Sequence, residues 1–174
     1  SSAASDVYKR QIEAYYKALE IAPNYADAYN NLGAAFLETY KLDDALASFQ
    51  KAISIKPDFA EAYRHLGLTY EALRKEQDAL LNCRKAIELK PDYLEAYNDL
   101  GVMYRKMGNV VEAISCLQKA ISIEPGSPAI QHRLDSFLGN ITDCAPRRYV
   151  EEVFNSYANK FDDHLVNKLK YNTP

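Results

Sequence analysis

Apolar, aromatic and small residues return along this chain with a period of 34, laying 23–56, 57–90 and 91–124 under one another. Each block opens on Pro, then Asn or Asp, then Tyr or Phe. An acid, an Ala-Tyr pair and a Leu-Gly pair follow, as at Asp27, Ala28-Tyr29 and Leu32-Gly33. Three residues past each Gly stands an aromatic (Phe36, Tyr70, Tyr104); further on come two alanines seven residues apart (Ala45 and Ala52, Ala79 and Ala86, Ala113 and Ala120). A fixed repeat of this length predicts stacked helical hairpins, each covered only by its neighbours.

Several slots carry a physical reason. Gly33, Gly67 and Gly101 fall mid-helix, where glycine is costly, so close approach of the partner helix must compensate. The small residues expected opposite them are Ala45, Ala79 and Ala113. Pro57 and Pro91 cannot continue a helix and end the one before. Asn24, Asp58 and Asp92 are expected as N-caps, with Asp27, Glu61 and Glu95 completing capping boxes.

The pattern resembles the tetratricopeptide repeat. The first unit carries it on Tyr29, Leu32, Gly33, Phe36, Ala45, Phe49, Ala52 and Pro57. The second has Tyr63, Leu66, Gly67, Tyr70, Ala79, Ala86 and Pro91; the third has Tyr97, Leu100, Gly101, Tyr104, Ala113, Ala120 and Pro125. Cys83 and Leu117 replace the second-helix aromatic. The resemblance implies an all-α, right-handed solenoid of antiparallel helix pairs. Its parts would be the second helix of a truncated repeat (12–22), three full repeats, a capping helix (125–139) and a linker (140–146).

Both ends depart from the repeat. Residues 1–11 resemble the in-frame translation of a sequencing-library adapter, and the small-residue slot fails at Gln11. They are expected to lie outside the solenoid, with the natural chain starting upstream. Helix 12–21 would then expose Ile12, Tyr15, Tyr16 and Leu19, a face open to self-association. At the other end, Val150, Val153, Phe154, Tyr157, Phe161 and Leu165 recur at helical spacing. With Ala145-Pro146, Tyr149, Ala158, Asp162, His164, Val166, Leu169, Tyr171 and Thr173-Pro174, this stretch resembles the junction before the catalytic domain of tetratricopeptide-repeat methyltransferases. Residues 147–174 would be the helical start of that domain, and the resemblance implies S-adenosylmethionine for the parent protein. No Gly follows Gly139, so the turn that cradles the cofactor is missing and these residues are expected to hold none.

The net charge of −3 and pI near 5.7 point to neither nucleic acid nor an anionic membrane as partner. Cys83, Cys116 and Cys144 form neither a disulfide framework nor a metal spacing, which is compatible with a cytoplasmic location. Fourteen tyrosines fall mostly in repeat slots, as packing residues. His65, His132 and His164 lie in different elements with no nucleophile beside them, so no catalytic or metal residue is expected. Asp162-Asp163-His164 supplies too few ligands for a metal.

The expected site is the concave face made by the first helix of each pair, binding an extended protein or peptide segment. Its candidate residues are Asn30, Asn31, Arg64, His65, Asn98, Asp99 and Arg105. A clamp for a C-terminal carboxylate is disfavoured, because Glu95 and Asp99 would repel it. The asparagine ladder of O-linked N-acetylglucosamine transferase repeats is met by Asn31 but not by His65 or Asp99. Three readings follow: the substrate-recruiting part of a methyltransferase fusion, a stand-alone adaptor, and transferase-linked repeats.

Overall fold

Proline and the residues around it punctuate a run of helices. The computed structural model describes residues 2–127, 130, 131 and 133–138. Among them seven helices follow in order: α1 (Ser2–Ile21), α2 (Ala26–Glu38), α3 (Leu42–Ile55), α4 (Ala60–Ala72), α5 (Glu76–Leu89), α6 (Leu94–Lys106) and α7 (Val110–Ile123). Residues 130, 131 and 133–138 are again helical, and no strand occurs among the described residues. The expected linker 140–146 and stub 147–174 lie outside the described residues. Helix α2 packs on α3, α4 on α5 and α6 on α7; each pair then leans on the next, with α2 touching α4 and α4 touching α6. This is the expected solenoid, with α2, α4 and α6 as the first helices of their pairs.

Its boundaries correct two expectations. Helix α1 starts at Ser2 rather than Ile12, so residues 2–11 continue the helix expected over 12–21. No Pro or Gly interrupts 2–11, and Ala, Lys, Arg and Gln are good helix formers. The N-caps are Tyr25, Phe59 and Tyr93, none with a side-chain cap bond, in place of Asn24, Asp58 and Asp92. Asp27, Glu61 and Glu95 therefore sit in the first turn, where their charge favours the helix dipole, and close no capping box.

The reason is packing. Phe59, 5% exposed, fills a space lined by Ala26, Ala52 and Ala62; Tyr93, also 5%, fills the equivalent space beside Ala60, Ala86 and Ala96. Each aromatic plugs the joint between successive units, and burying it there outweighs a cap bond. Tyr25 holds the same position in the first unit with no earlier hairpin described to receive it, and it is 51% exposed. With Tyr16 and Tyr40, it is an exception to the expectation that the tyrosines are packing residues.

All three hairpin turns use one device. Past the C-caps Thr39, Leu73 and Met107, the next residue turns left-handed: Tyr40 (φ 59°), Arg74 (φ 60°) and Gly108 (φ 79°). Their N–H groups donate to the carbonyls of Leu37, Glu71 and Arg105, and those of Lys41, Lys75 and Asn109 donate to Phe36, Tyr70 and Tyr104. This pair of bonds is a Schellman motif. A side chain in that conformation costs about 1 kcal/mol relative to glycine, so two of the three turns are strained.

Residues with no exposed surface occur in every unit, among them Ala45, Phe49 and Ala52, Cys83 and Ala86, Leu117 and Ala120, with Leu134 beyond them. The nearest contact of each glycine is not the expected alanine but the residue four positions on. A Cβ at Gly33 would meet the Phe49 ring at 2.7 Å; one at Gly67 would meet Cys83 Sγ at 2.5 Å and the Ala79 carbonyl at 3.0 Å. At Gly101 the nearest atoms are Leu117 Cγ at 3.3 Å and the Ala113 carbonyl at 3.4 Å. At Gly67 and Gly101 the facing alanine contributes its carbonyl, and in all three units the side chain four residues on closes the contact. Cys83, the smallest of the three, accompanies the nearest backbone.

Gly67→Ala is therefore expected to destabilise by roughly 2–3 kcal/mol, since a carbonyl cannot move aside. Gly101→Ala should fall within about 1 kcal/mol of neutral, because the helix-propensity gain offsets a mild overlap. Urea unfolding of both variants checks this, and equal losses would contradict it.

Candidate functional site

Successive first helices meet through polar pairs. Asn30 on α2 accepts a bond from His65 on α4 (Nδ1 to Oδ1, 3.0 Å), and Arg64 on α4 donates to Asp99 on α6 (Nε to Oδ2, 2.6 Å). Glu71 pairs with Lys106, and Arg133 donates to Asn98. Every pair is 35 residues apart, the repeat length plus one. Each bond thus joins a position on one first helix to the next position on its successor.

Five of the seven expected site residues (Asn30, Arg64, His65, Asn98, Asp99) belong to this ladder. Asn30 is buried at 7% exposure, and the Arg64 and Asp99 side chains are only 20% and 17% exposed. Asn31 is exposed and takes no part. Arg105 is exposed and holds its guanidinium 4.3 Å from the centre of the Phe137 ring. Repeat-by-repeat reading missed the pairing; a comparison of residue types at an offset of 35 shows it as N/H, R/D, E/K and N/R.

Electrostatics within the ladder follow from burial. Burial, with the Arg64 charge adding to it, pushes the His65 imidazole down to about 4; Glu61 opposes weakly. The ring is therefore neutral near pH 7, packed 5.3 Å from the Phe49 ring. Burial raises the Asp99 carboxyl, and Arg64 counters only part of that rise. The Arg64–Asp99 pair is thus a partly desolvated ion pair in which each member requires the other.

Beside the ladder lies a rim of three cavities that all include Lys106. One of about 230 Å³ is lined by Tyr40, Leu68, Glu71, Ala72 and Arg74. Another, about 330 Å³, lies between Arg74, Glu76, Ala79, Met103 and Met107. The third, about 400 Å³, is bounded by Val102, Arg105, Arg133 and Phe137. All three follow the C-terminal ends of α4 and α6. The chemistry available is recognition. Burial pushes the Cys83 thiol up to about 12 and the Cys116 thiol to about 11, so neither is a ready nucleophile. Among the described residues no group of three or more His, Cys, Asp or Glu is placed to hold a metal, and no helix is long and apolar enough to cross a membrane.

Family models of the tetratricopeptide repeat match residues 60–93 and 94–127, and a TPR-repeat model matches 8–39 and 41–73. The chain is a tetratricopeptide-repeat protein. Two crystal structures of MamA resemble it. One has 27% identity and a TM-score of 0.70 over 97% of this chain and 94% of that one. The other has 26% identity and a TM-score of 0.67 over 98% and 90%. TTC0263, a thermophilic TPR protein of Thermus thermophilus, shares the fold at 23% identity, with a TM-score of 0.72 over 78% of this chain and 75% of that one. Among curated proteins there is no match. The tetratricopeptide fold makes this chain a protein-interaction scaffold.

Two outcomes test the ladder. Arg64→Met should destabilise by about 2–3 kcal/mol, whereas adding Asp99→Leu should recover most of that loss; additive losses in denaturant unfolding would contradict the pairing. His65 has a folded pKa below its unfolded value, so the unfolded chain takes the proton first. The stability it contributes is complete above about pH 6.5 and falls as the pH drops towards 4, by about 3 kcal/mol. His65→Gln should flatten that part of the pH–stability curve; an unchanged curve would show that His65 is not its source.

Proposed function

We propose that this tetratricopeptide protein holds an extended peptide segment of a partner along α2, α4 and α6, and recruits that partner as the substrate of an S-adenosylmethionine-dependent methyltransferase domain. The observation that carries the first half is the rim: three adjoining cavities beside the polar ladder, with Arg105 exposed on it and Asn31 exposed on α2. The ladder supports a binding role because it pre-organises the groove, lowering the entropy lost when a peptide docks. Support for the second half is the match of 145–174 to the junction preceding such domains, read from sequence. In this reading the location is cytoplasmic and residues 1–11 derive from an adapter. Copies would associate through helix 12–21, where Tyr16 and Ile21 are 52% and 87% exposed; Ile12, Tyr15 and Leu19, expected bare, pack towards α2.

Panning a phage-displayed dodecapeptide library against the chain tests the groove. Selected peptides should bind an Asn31→Ala/Arg105→Ala variant about tenfold more weakly, with unchanged melting. Selected peptides indifferent to both substitutions would remove the groove as the site. The reading frame past Pro174 tests the fusion: no glycine-rich strand-to-helix turn there would end that reading.

A further inference from the structure

Two of the three hairpin turns keep a side chain where glycine would be less strained, and those two side chains, Tyr40 and Arg74, line one cavity. In the third turn, Gly108 has the same conformation and lines none of the three rim cavities. Strain that persists at two residues of one cavity points to a use for their side chains. The charges say which use. Around the rim stand Arg74, Arg105, Lys106 and Arg133 against Glu71 and Glu76, a local excess of cations on a chain of net charge −3. Lys106 is neutralised by Glu71, and Arg133 is engaged with Asn98. Arg74 is exposed and has no ion-pair partner among the described residues, and Arg105 faces only the Phe137 ring.

We infer that the rim at the C-terminal ends of α4 and α6 binds the acidic stretch of a peptide, with Arg74 and Arg105 pairing its Asp or Glu carboxylates and Tyr40 walling one side. This rests on the groove reading above and narrows its ligand to an acidic one. Planar guanidinium groups take carboxylates in a two-bond fork, which makes arginine the better partner than lysine here. The turn's two backbone bonds hold the Arg74 backbone in its left-handed conformation beside the cavity that its side chain lines.

Three labelled dodecapeptides of alternating Glu/Ser, Gln/Ser and Lys/Ser test this by fluorescence anisotropy. The Glu peptide should bind about tenfold tighter than the Gln peptide at low salt and lose that advantage as salt rises. Arg74→Gly should raise the melting temperature by a few degrees while weakening the Glu peptide about tenfold; Arg74→Lys should weaken it less. A Gln peptide that binds as tightly overturns the proposal. So does an Arg74→Gly variant, stabilised as expected, that binds undiminished. If phage-selected peptides bind the groove and the Glu peptide does not, the acidic rim falls and the groove stands. If no peptide binds, both fall.

Discussion

Everything in this solenoid depends on how closely two helices of a hairpin can approach at a glycine. Because Gly33, Gly67 and Gly101 lack a Cβ, the facing helix brings Phe49, Cys83 or Leu117 to full burial against the backbone. That contact fixes the helix spacing, and the spacing fixes the joint where Phe59 or Tyr93 is inserted among alanines of two units. Dense packing leaves such a joint little freedom, so the offset between successive hairpins becomes a constant of the chain. A constant offset is what allows a polar pair, its members 35 residues apart, to recur from one unit to the next.

The ladder links stability to recognition. Asn30–His65, Arg64–Asp99 and Asn98–Arg133 tie the first helices together on the face expected to bind. Half-buried polar groups must find partners, and here they find one another. The face is thereby stiffened, and side chains free to meet a ligand are displaced to its edges, at Asn31 and along the rim from Arg74 to Arg105. Arg84 does the same structural service between α5 and α6, donating from Nε to the Tyr104 hydroxyl at 3.0 Å. The buried Tyr104 ring thus keeps its polar end satisfied.

Particular residues show where reading the chain succeeded and where it stopped. Leu32, Leu66 and Leu100, the alanine pairs and the mid-helix glycines were legible as core because a 34-residue period repeats the same neighbours. Asn24, Asp58 and Asp92, expected as N-caps, do not occupy those positions. A local motif predicts a local bond, but Phe59 and Tyr93 took the cap positions to fill the joint with the preceding unit. The glycine contact was assigned to the wrong residue for a related reason. Sequence spacing places a small residue near a small residue, while helix geometry directs the side chain four positions on into the gap.

What the sequence determined by itself is the architecture: the number of hairpins from residue 23 to 124, their core slots and the face available for binding. Periodicity alone carries that information, since each unit meets only its neighbours. Tertiary structure alone decided which polar residues pair. It also decided that His65 is half-buried and neutral, and that the strained Tyr40 and Arg74 line one cavity. Those properties depend on the small displacement between adjacent helices, which the packed joint sets and which no single residue's type reveals by itself.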